Sequence, residues 1–370
     1  MSMIPLFSPD MPTTDDLIPY LREIDCDHWY SNFGPKLNKF ETLLAAHFQV
    51  SKNCISTSSS ATTGLMMALK ALALNFELGG RKRFRCLLPA WTFVASAQAV
   101  LEAGGLPLFC DVSGGSGALT PEIVEKYLSC SEAIVPDVVM AVAPFGAAVE
   151  VAEWDAFSLR TGIPVVIDAA ASFFSVVPGI APVIVSLHAT KVFGVGEGGV
   201  IISQNASLIE KIHQISKFGF AETRVATTRG GNYKLSEYHA AVGLAQFERL
   251  SRLKARYLRV KDIYLNELLN IDNISLLGDP GRLISSTLNV LVNNGTAKNA
   301  VQKLRMQGIG ASIWWEDTLH RNPVFMEGGV VGELPVSDDM YDRVFGLPFH
   351  SKLTIDEIIE LLKNAGIILY

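Results

Sequence analysis

No two cysteines form a C-x-x-C pair, and the five present (Cys26, Cys54, Cys86, Cys110 and Cys130) are odd in number and scattered. That spacing offers neither a structural zinc site nor a disulfide framework, so metal and disulfide use are not expected. Several of them sit in apolar runs such as "RCLLP" and "LFCDV", where a free thiol behaves as a small hydrophobe. A reducing, cytoplasmic compartment fits this usage. Positive charge is also short: 31 Lys and Arg stand against 37 Asp and Glu, for a net charge of -6. Nucleic acid is therefore not expected as a partner, because phosphate binding needs a basic face. The single basic cluster, "RKRFR" from Arg81 to Arg85, reads as a solvated loop before a strand. No apolar run approaches the ~20 residues of a membrane helix, so no membrane partner is expected. The N-terminus lacks the basic-then-apolar order of a secretion signal. Internal repeats and low-complexity segments are missing too.

The 370 residues are 49% hydrophobic and 18% charged, enough for a large core and for one large and one small domain. Apolar runs alternate with helical patterns through the first two-thirds. Strands are expected at 54–58, 85–89, 106–112, 138–144, 164–169, 183–187 and 199–203. Between several of them lie the helical stretches "GLMMALKALALNF", "ASAQAVLEAGG", "TPEIVEKYLS" and "AEWDAFSLRTG". Runs apolar on both faces and separated by helices predict an α/β fold with a mostly parallel sheet covered on both sides. Ligands collect beyond the carboxyl ends of such strands. From about Tyr238 the texture changes to one long helical pattern, or two helices with a break, reaching Asn270. A strand at 286–294 and helices at 297–308 and 354–366 follow. The expected division is a large cofactor-binding domain, 1–245, and a smaller α+β domain, 246–370.

The stretch "SLHATKVFGVGEGGV" at 186–200 carries two competing readings. Gly194-Val195-Gly196-Glu197-Gly198-Gly199 fits the dinucleotide pattern G-x-G-x-x-G. That pattern works only at a helix start, where pyrophosphate meets the helix N-terminus. Here the β-branched, strand-like "VIISQ" follows, so the fingerprint is set aside and Lys191 takes the interest. Asp168 ends the strand "PVVID", while Ser186 and His188 end the next, "VIVSLH". In a parallel sheet Asp168, Ser186, His188 and Lys191 converge. A lysine opposite an aspartate suits pyridoxal phosphate: the amine forms a Schiff base with the aldehyde, and the carboxylate keeps the pyridine nitrogen protonated. The phosphate needs donors, and "CISTSSSATTGLMMALKAL" supplies a strand, a Ser/Thr-rich turn and a helix start bearing Thr62 and Thr63. Each residue alone has a bland alternative, as a cap, a core histidine or a surface lysine. Their joint order favours the cofactor.

At these residues the chain resembles the DegT/StrS-type aminotransferases, a fold-type I, pyridoxal-phosphate-dependent family acting mostly on keto-sugars attached to nucleotides. The matching segments are "SNFGPKLNKFE", "TSSSATTGLMMAL", "LPAWTFVASAQAVLEAGGLPLFCDV", "GIPVVIDAAASFF", "SLHATKVFGVGEGGVIIS", "RGGNYKLSEYHAAVGLAQFERL" and "FGLPFHSKLT". The resemblance implies that Phe93 stacks on the cofactor and that Thr62 and Thr63 serve its phosphate. It also implies that Asn232 reaches the phosphate of the neighbouring subunit, in a homodimer with shared active sites. Trp29, Tyr30 and Asn32, before Gly34-Pro35, and Trp315 and His320, in "WWEDTLHRNP", fall where the family meets its substrate. The chain also departs from the family: Ile167-Asp168-Ala169-Ala170-Ala171 stands where Glu-Asp-Ala-Ala-Gln is usual, so that Ala171 replaces the glutamine beside the cofactor's ring hydroxyl, while Ala61 replaces a glycine and Lys234 an arginine.

The expected activity is transamination from glutamate or glutamine to a keto-sugar, a nucleotide-linked 3- or 4-keto-6-deoxy sugar, for cell-surface polysaccharide or natural-product biosynthesis. Lys191, Asp168 and His188 are its expected catalytic residues; Thr62, Thr63, Phe93, Asp168, Ser186, Lys191 and Asn232 hold the cofactor. The alternatives are a pyridoxal-phosphate-dependent sugar dehydratase, a cyclitol aminotransferase, and a non-catalytic regulatory protein on the same fold.

Overall fold

The computed structural model describes residues 3–131, 133–268, 273–279, 281 and 284–369. An extended strap leads into α1 (Thr14–Asp27), capped by reciprocal hydrogen bonds between Thr13 and Asp16, and α2 (Pro35–His47). Then come β1 (Ile55–Ser58), α3 (Ala61–Ala73), β2 (Arg85–Pro89), α4 (Val94–Glu102), β3 (Leu106–Cys110) and α5 (Pro121–Leu128). They are followed by β4 (Val138–Val142), α6 (Val151–Thr161), β5 (Val165–Asp168), β6 (Val183–Ser186), β7 (Gly199–Ile202) and α7 (Ala206–Ser216). Among the described residues these strands make one sheet of seven, in the order β1-β7-β6-β5-β4-β2-β3. Every adjacent pair is parallel except those of β7, which runs against both β6 and β1. All seven expected strands are present, and the expected mostly parallel sheet is the one observed.

The sheet is buried on both faces, which explains its continuous β-branched runs. Val139, Ala141, Val165, Ile167 and Val183 enter one core with α2 and α6. Val138, Met140, Val166 and Ile184 enter the other, with α3, α4 and α7. The long pattern after Tyr238 resolves into α8 (Glu237–Glu248) and α9 (Leu250–Leu268), broken at Arg249. Its last residues, 269–270, lie outside the described residues. Residue 245, the expected domain limit, falls within α8. A second sheet, antiparallel throughout, orders β10 (Val344–Leu347), β9 (Leu288–Val292) and β8 (Ile274–Leu276). Around it stand α10 (Ala297–Met306), α11 (Pro335–Arg343) and α12 (Ile355–Leu369). The helices α1, α2, α7 and α11 and the strands β8 and β10 were not among the expected elements. Pro19 lies inside α1, where the sequence argues against a helix, β10 carries a glycine, and β8 has only three residues, too few to show a period.

Two features tie the halves together. The segment after Asp317 returns to the large sheet, where the Leu319 amide donates to Ala90 O (2.9 Å) and Val331 to Phe109 O (2.8 Å). The strap pairs Ile4 with Ile309, and the buried Asp10 accepts from Arg249 (2.5 Å), Ser351 (2.6 Å) and Arg256 (3.0 Å). The basic cluster is spent internally as well. Arg81 makes a bidentate pair with Asp137 (2.7 Å for each bond), and Arg83 pairs with Glu327 (3.0 Å). The loop position was expected, but these partners were not.

Candidate active site

Ser58 at the end of β1 and Ser186 at the end of β6 both pair with Gly199 on the intervening β7. A methyl group on residue 199 would fall 2.7 Å from the Ala61 amide nitrogen, from Ser58 Oγ and from Ser60 O. Only a residue without a side chain lets the turn after β1 cross β7 so closely. Gly196 has a φ of +101°, and it pairs with His188 to close the loop that carries Lys191. The glycines of the 186–200 stretch therefore shape that loop and admit the neighbouring turn.

That turn opens α3. Ser60 is the N-cap, accepting from the Thr63 amide (3.1 Å), while Thr63 Oγ1 accepts from the Ser60 amide (3.0 Å). Thr63 is thus consumed by a capping box. The Thr62 hydroxyl and the Ala61 and Thr62 amides have no hydrogen-bond partner among the described residues. They are the open donors of a helix start, the arrangement that binds an anion.

Asp168 ends β5 with 6% of its surface exposed. Its Oδ2 accepts from Ser96 Oγ (2.7 Å) and its Oδ1 from the Ala170 amide (3.2 Å). Burial pushes its carboxyl above the ordinary value, against the pull of Ser96, Ala170 and the Lys191 charge. Burial likewise pulls Lys191 below the ordinary lysine value, while Asp168 raises it. The two sense each other through space but form no ion pair. A buried aspartate and a partly exposed lysine that do not pair leave both groups free for a third partner.

Ser186 is buried, and its Oγ accepts from the His188 amide (3.2 Å). His188 accepts the Lys191 amide at its carbonyl (2.9 Å). Its Nδ1 accepts from the Thr190 amide (3.2 Å), so a neutral ring carries its proton on Nε2, 3.5 Å from Glu197 Oε1. Phe93 is the N-cap of α4, its ring 57% exposed. Asn232 is exposed in the loop before α8, and its Oδ1 accepts from Lys234 Nζ (2.5 Å), which also lies over the Phe218 ring.

The remaining candidates have other partners. The Tyr30 ring stacks on Tyr238 at the start of α8 (6.1 Å), and Trp29 Nε1 donates to Ser31 O (2.5 Å). Asn32 holds a φ of +62° in the same loop. The hydrogen bonds and ring contacts of all three stay within this loop and the start of α8. Trp315 lies flat on Phe145 (4.7 Å, 11°) and edge-on to Trp91 (4.4 Å). It forms an aromatic wall beyond the ends of β2 and β4. His320 follows Leu319, which docks beside β2, and its buried Nδ1 has no partner.

The model of the DegT/DnrJ/EryC1/StrS aminotransferase family matches residues 13–364. The chain belongs to that family. It is 28% identical to protein MT3510 of Mycobacterium tuberculosis over 97% of this chain and 88% of that one. It is 27% identical to dTDP-4-amino-4,6-dideoxy-D-glucose transaminase of Shigella dysenteriae over 98% of each chain. The fold matches solved DesI, crystallised with its TDP-sugar product, with a TM-score of 0.87 and 21% identity over 100% of this chain and 93% of that one.

The chain is thus a pyridoxal-phosphate-dependent aminotransferase, and its residues suit the cofactor. Open amides at the start of α3 suit a phosphate, a buried carboxylate suits a ring nitrogen, and Lys191 suits an aldehyde. Sequence reasoning missed two supports. Ser96 bonds Asp168, and the buried Gln246 ties Gly194 O (3.2 Å) to Asp10 O (3.0 Å). No local pattern marks either, because both act across long sequence separations.

Proposed function

We propose that this aminotransferase moves an amino group from glutamate or glutamine to a nucleotide-linked keto-sugar, in the cytoplasm, as a homodimer with shared active sites. The observation that carries the reading is the buried Asp168 facing Lys191 beside the open start of α3. The sugar substrate is supported by relatives whose names specify sugar transamination, including GDP-perosamine synthase of Vibrio cholerae.

When bound, pyridoxal phosphate supplies an aldehyde for the amine and a ring that accepts electrons. Lys191 Nζ would hold the aldehyde, and as a free amine it would move the proton to and from the substrate carbon. Its setting suits it to this work, since any lowering of a lysine pKa raises the share of neutral amine at a given pH. Asp168 would hold the proton on the ring nitrogen. Phe93 and Ser186 would contact the ring. The Ala61 and Thr62 amides and the Thr62 hydroxyl would receive the phosphate, while Thr63 shapes their turn. His188 holds the loop of Lys191. Asn232 reaches the phosphate of the partner subunit. Trp29, Tyr30, Asn32, Trp315 and His320 line the approach of the sugar. The units 1–245 and 246–370 are the cofactor-binding and covering parts.

The test is an absorbance scan of the loaded enzyme with and without glutamate, then a panel of nucleotide keto-sugars with 2-oxoglutarate release as readout. A spectral change with glutamate and 2-oxoglutarate formed in step with amino-sugar support the proposal. Sugar consumed without 2-oxoglutarate or glutamate turnover overturns it in favour of dehydration. A Lys191→Ala protein that still transfers the amine fully overturns the assignment of Lys191. Shared sites are tested by mixing Lys191→Ala and Asn232→Ala subunits: recovered activity in the mixture supports them, and none overturns them.

A further inference from the structure

Asp168 reaches past the end of β5, yet its carboxylate is not left to rotate. Ser96 Oγ donates to Oδ2 at 2.7 Å, and Ser96 and Asp168 are both buried. An ionised carboxylate only accepts, and a hydroxyl has one proton to give. The contact between Thr92 Oγ1 and Ser96 Oγ (3.3 Å) must therefore run from Thr92 to Ser96. The three side chains form a directed chain, hydroxyl to hydroxyl to carboxylate, sealed from water: Thr92 is 2% and Ser96 0% exposed. With the Ala170 amide on the other oxygen, the plane of the carboxylate is set from two sides.

The same helical turn carries Phe93. The Ser96 amide donates to Phe93 O (3.2 Å), so the exposed ring and the buried hydroxyl are parts of one rigid N-terminus of α4. Any shift of α4 moves both together.

We propose that Ser96 is a positioning residue for the transamination, its hydroxyl, aligned by Thr92, fixing the Asp168 carboxylate where it meets the cofactor's ring nitrogen. The inference rests on the assignment of Asp168 to that nitrogen. Its physical basis is that burial alone opposes the charge on Asp168, and the Ser96 bond is the largest of the interactions that restore it. Removing the bond raises the carboxylate's own proton affinity, so the proton shared with the ring nitrogen shifts toward Asp168. The positive charge on the ring then declines, and the lysine–cofactor bond keeps its own proton to higher pH.

The experiment compares Ser96→Ala, Ser96→Thr, Thr92→Val and Asp168→Ala. Its readouts are cofactor affinity by fluorescence titration, the pH midpoint of the visible absorbance change of the loaded enzyme, and kcat and KM. Ser96→Ala is expected to raise the midpoint by roughly one unit and lower kcat by about 10-fold or more, with KM nearly unchanged. Ser96→Thr, which keeps the hydroxyl, restores the midpoint, and Thr92→Val moves it in the same direction by less. A Ser96→Ala midpoint equal to that of the parent overturns the inference, while loss of cofactor affinity in Asp168→Ala keeps the reading of Asp168 standing. Unchanged behaviour of Asp168→Ala overturns both. If Ser96→Ala does not fold, an unshifted midpoint in Thr92→Val overturns the inference instead.

Discussion

Gly199 and Ala61 touch where two chain segments cross: a methyl on residue 199 would sit 2.7 Å from the Ala61 amide nitrogen. That nitrogen is one of the two open amides at the start of α3. Gly199→Ala must push the turn off β7, so it should damage phosphate binding before it damages the fold. We expect cofactor affinity to fall by roughly 10-fold or more, on the scale of an overpacked contact. Titration of the apoenzyme with pyridoxal phosphate measures it, and an unchanged affinity contradicts the role given to the crossing.

Thr62 and Thr63 are adjacent but differently employed. Thr63 closes the capping box with Ser60, whereas the Thr62 hydroxyl is open. Thr63→Val should lower stability by about 1 kcal/mol, the usual worth of a cap. Thr62→Val should leave the melting temperature of the apoenzyme in place and weaken cofactor binding. Thermal melts of both variants, with and without cofactor, separate the roles, and a reversed pattern would sink the distinction.

His213 stacks on Phe33 (4.3 Å), and burial pulls its pKa from 6.5 down to about 4. The unfolded chain takes up this proton below 6.5, but the folded one resists it until about 4. Stability should fall as pH drops through that window, because there the unfolded state binds more protons. His213→Gln should flatten that part of the acid limb in melts from pH 7 to 4. Parallel curves for parent and variant would exclude His213 as the cause.

Trp315 bridges the two halves through Phe145 and Trp91. Trp315→Ala should cost about 3 kcal/mol in denaturant unfolding, the low end of the range for a lost tryptophan because the residue is only partly buried. A stability loss near zero combined with a raised KM would instead make Trp315 a residue that touches substrate only.

The strands were legible because a doubly covered sheet forces apolar runs, and "VVMAV", "VVID" and "GVII" have no other use. Lys191 and Asp168 were legible because strand ends converge in a parallel sheet. The division of labour between Thr62 and Thr63 was not, since it depends on a capping box that only backbone geometry reveals. Ser96 was hidden for a similar reason: 72 residues separate it from Asp168. The stacking of Trp315 on Phe145 was not legible either, since it joins positions 170 residues apart.

The strap has a kinetic consequence. Asp10 is clamped by Arg249, Arg256 and Ser351, and Ile4 pairs with Ile309. The contacts of Asp10 close over separations of 239 to 341 residues. Contacts between such distant positions form only after the intervening chain has been brought together. The large sheet can therefore assemble before its strap is fastened, and the fastening is a late step of folding.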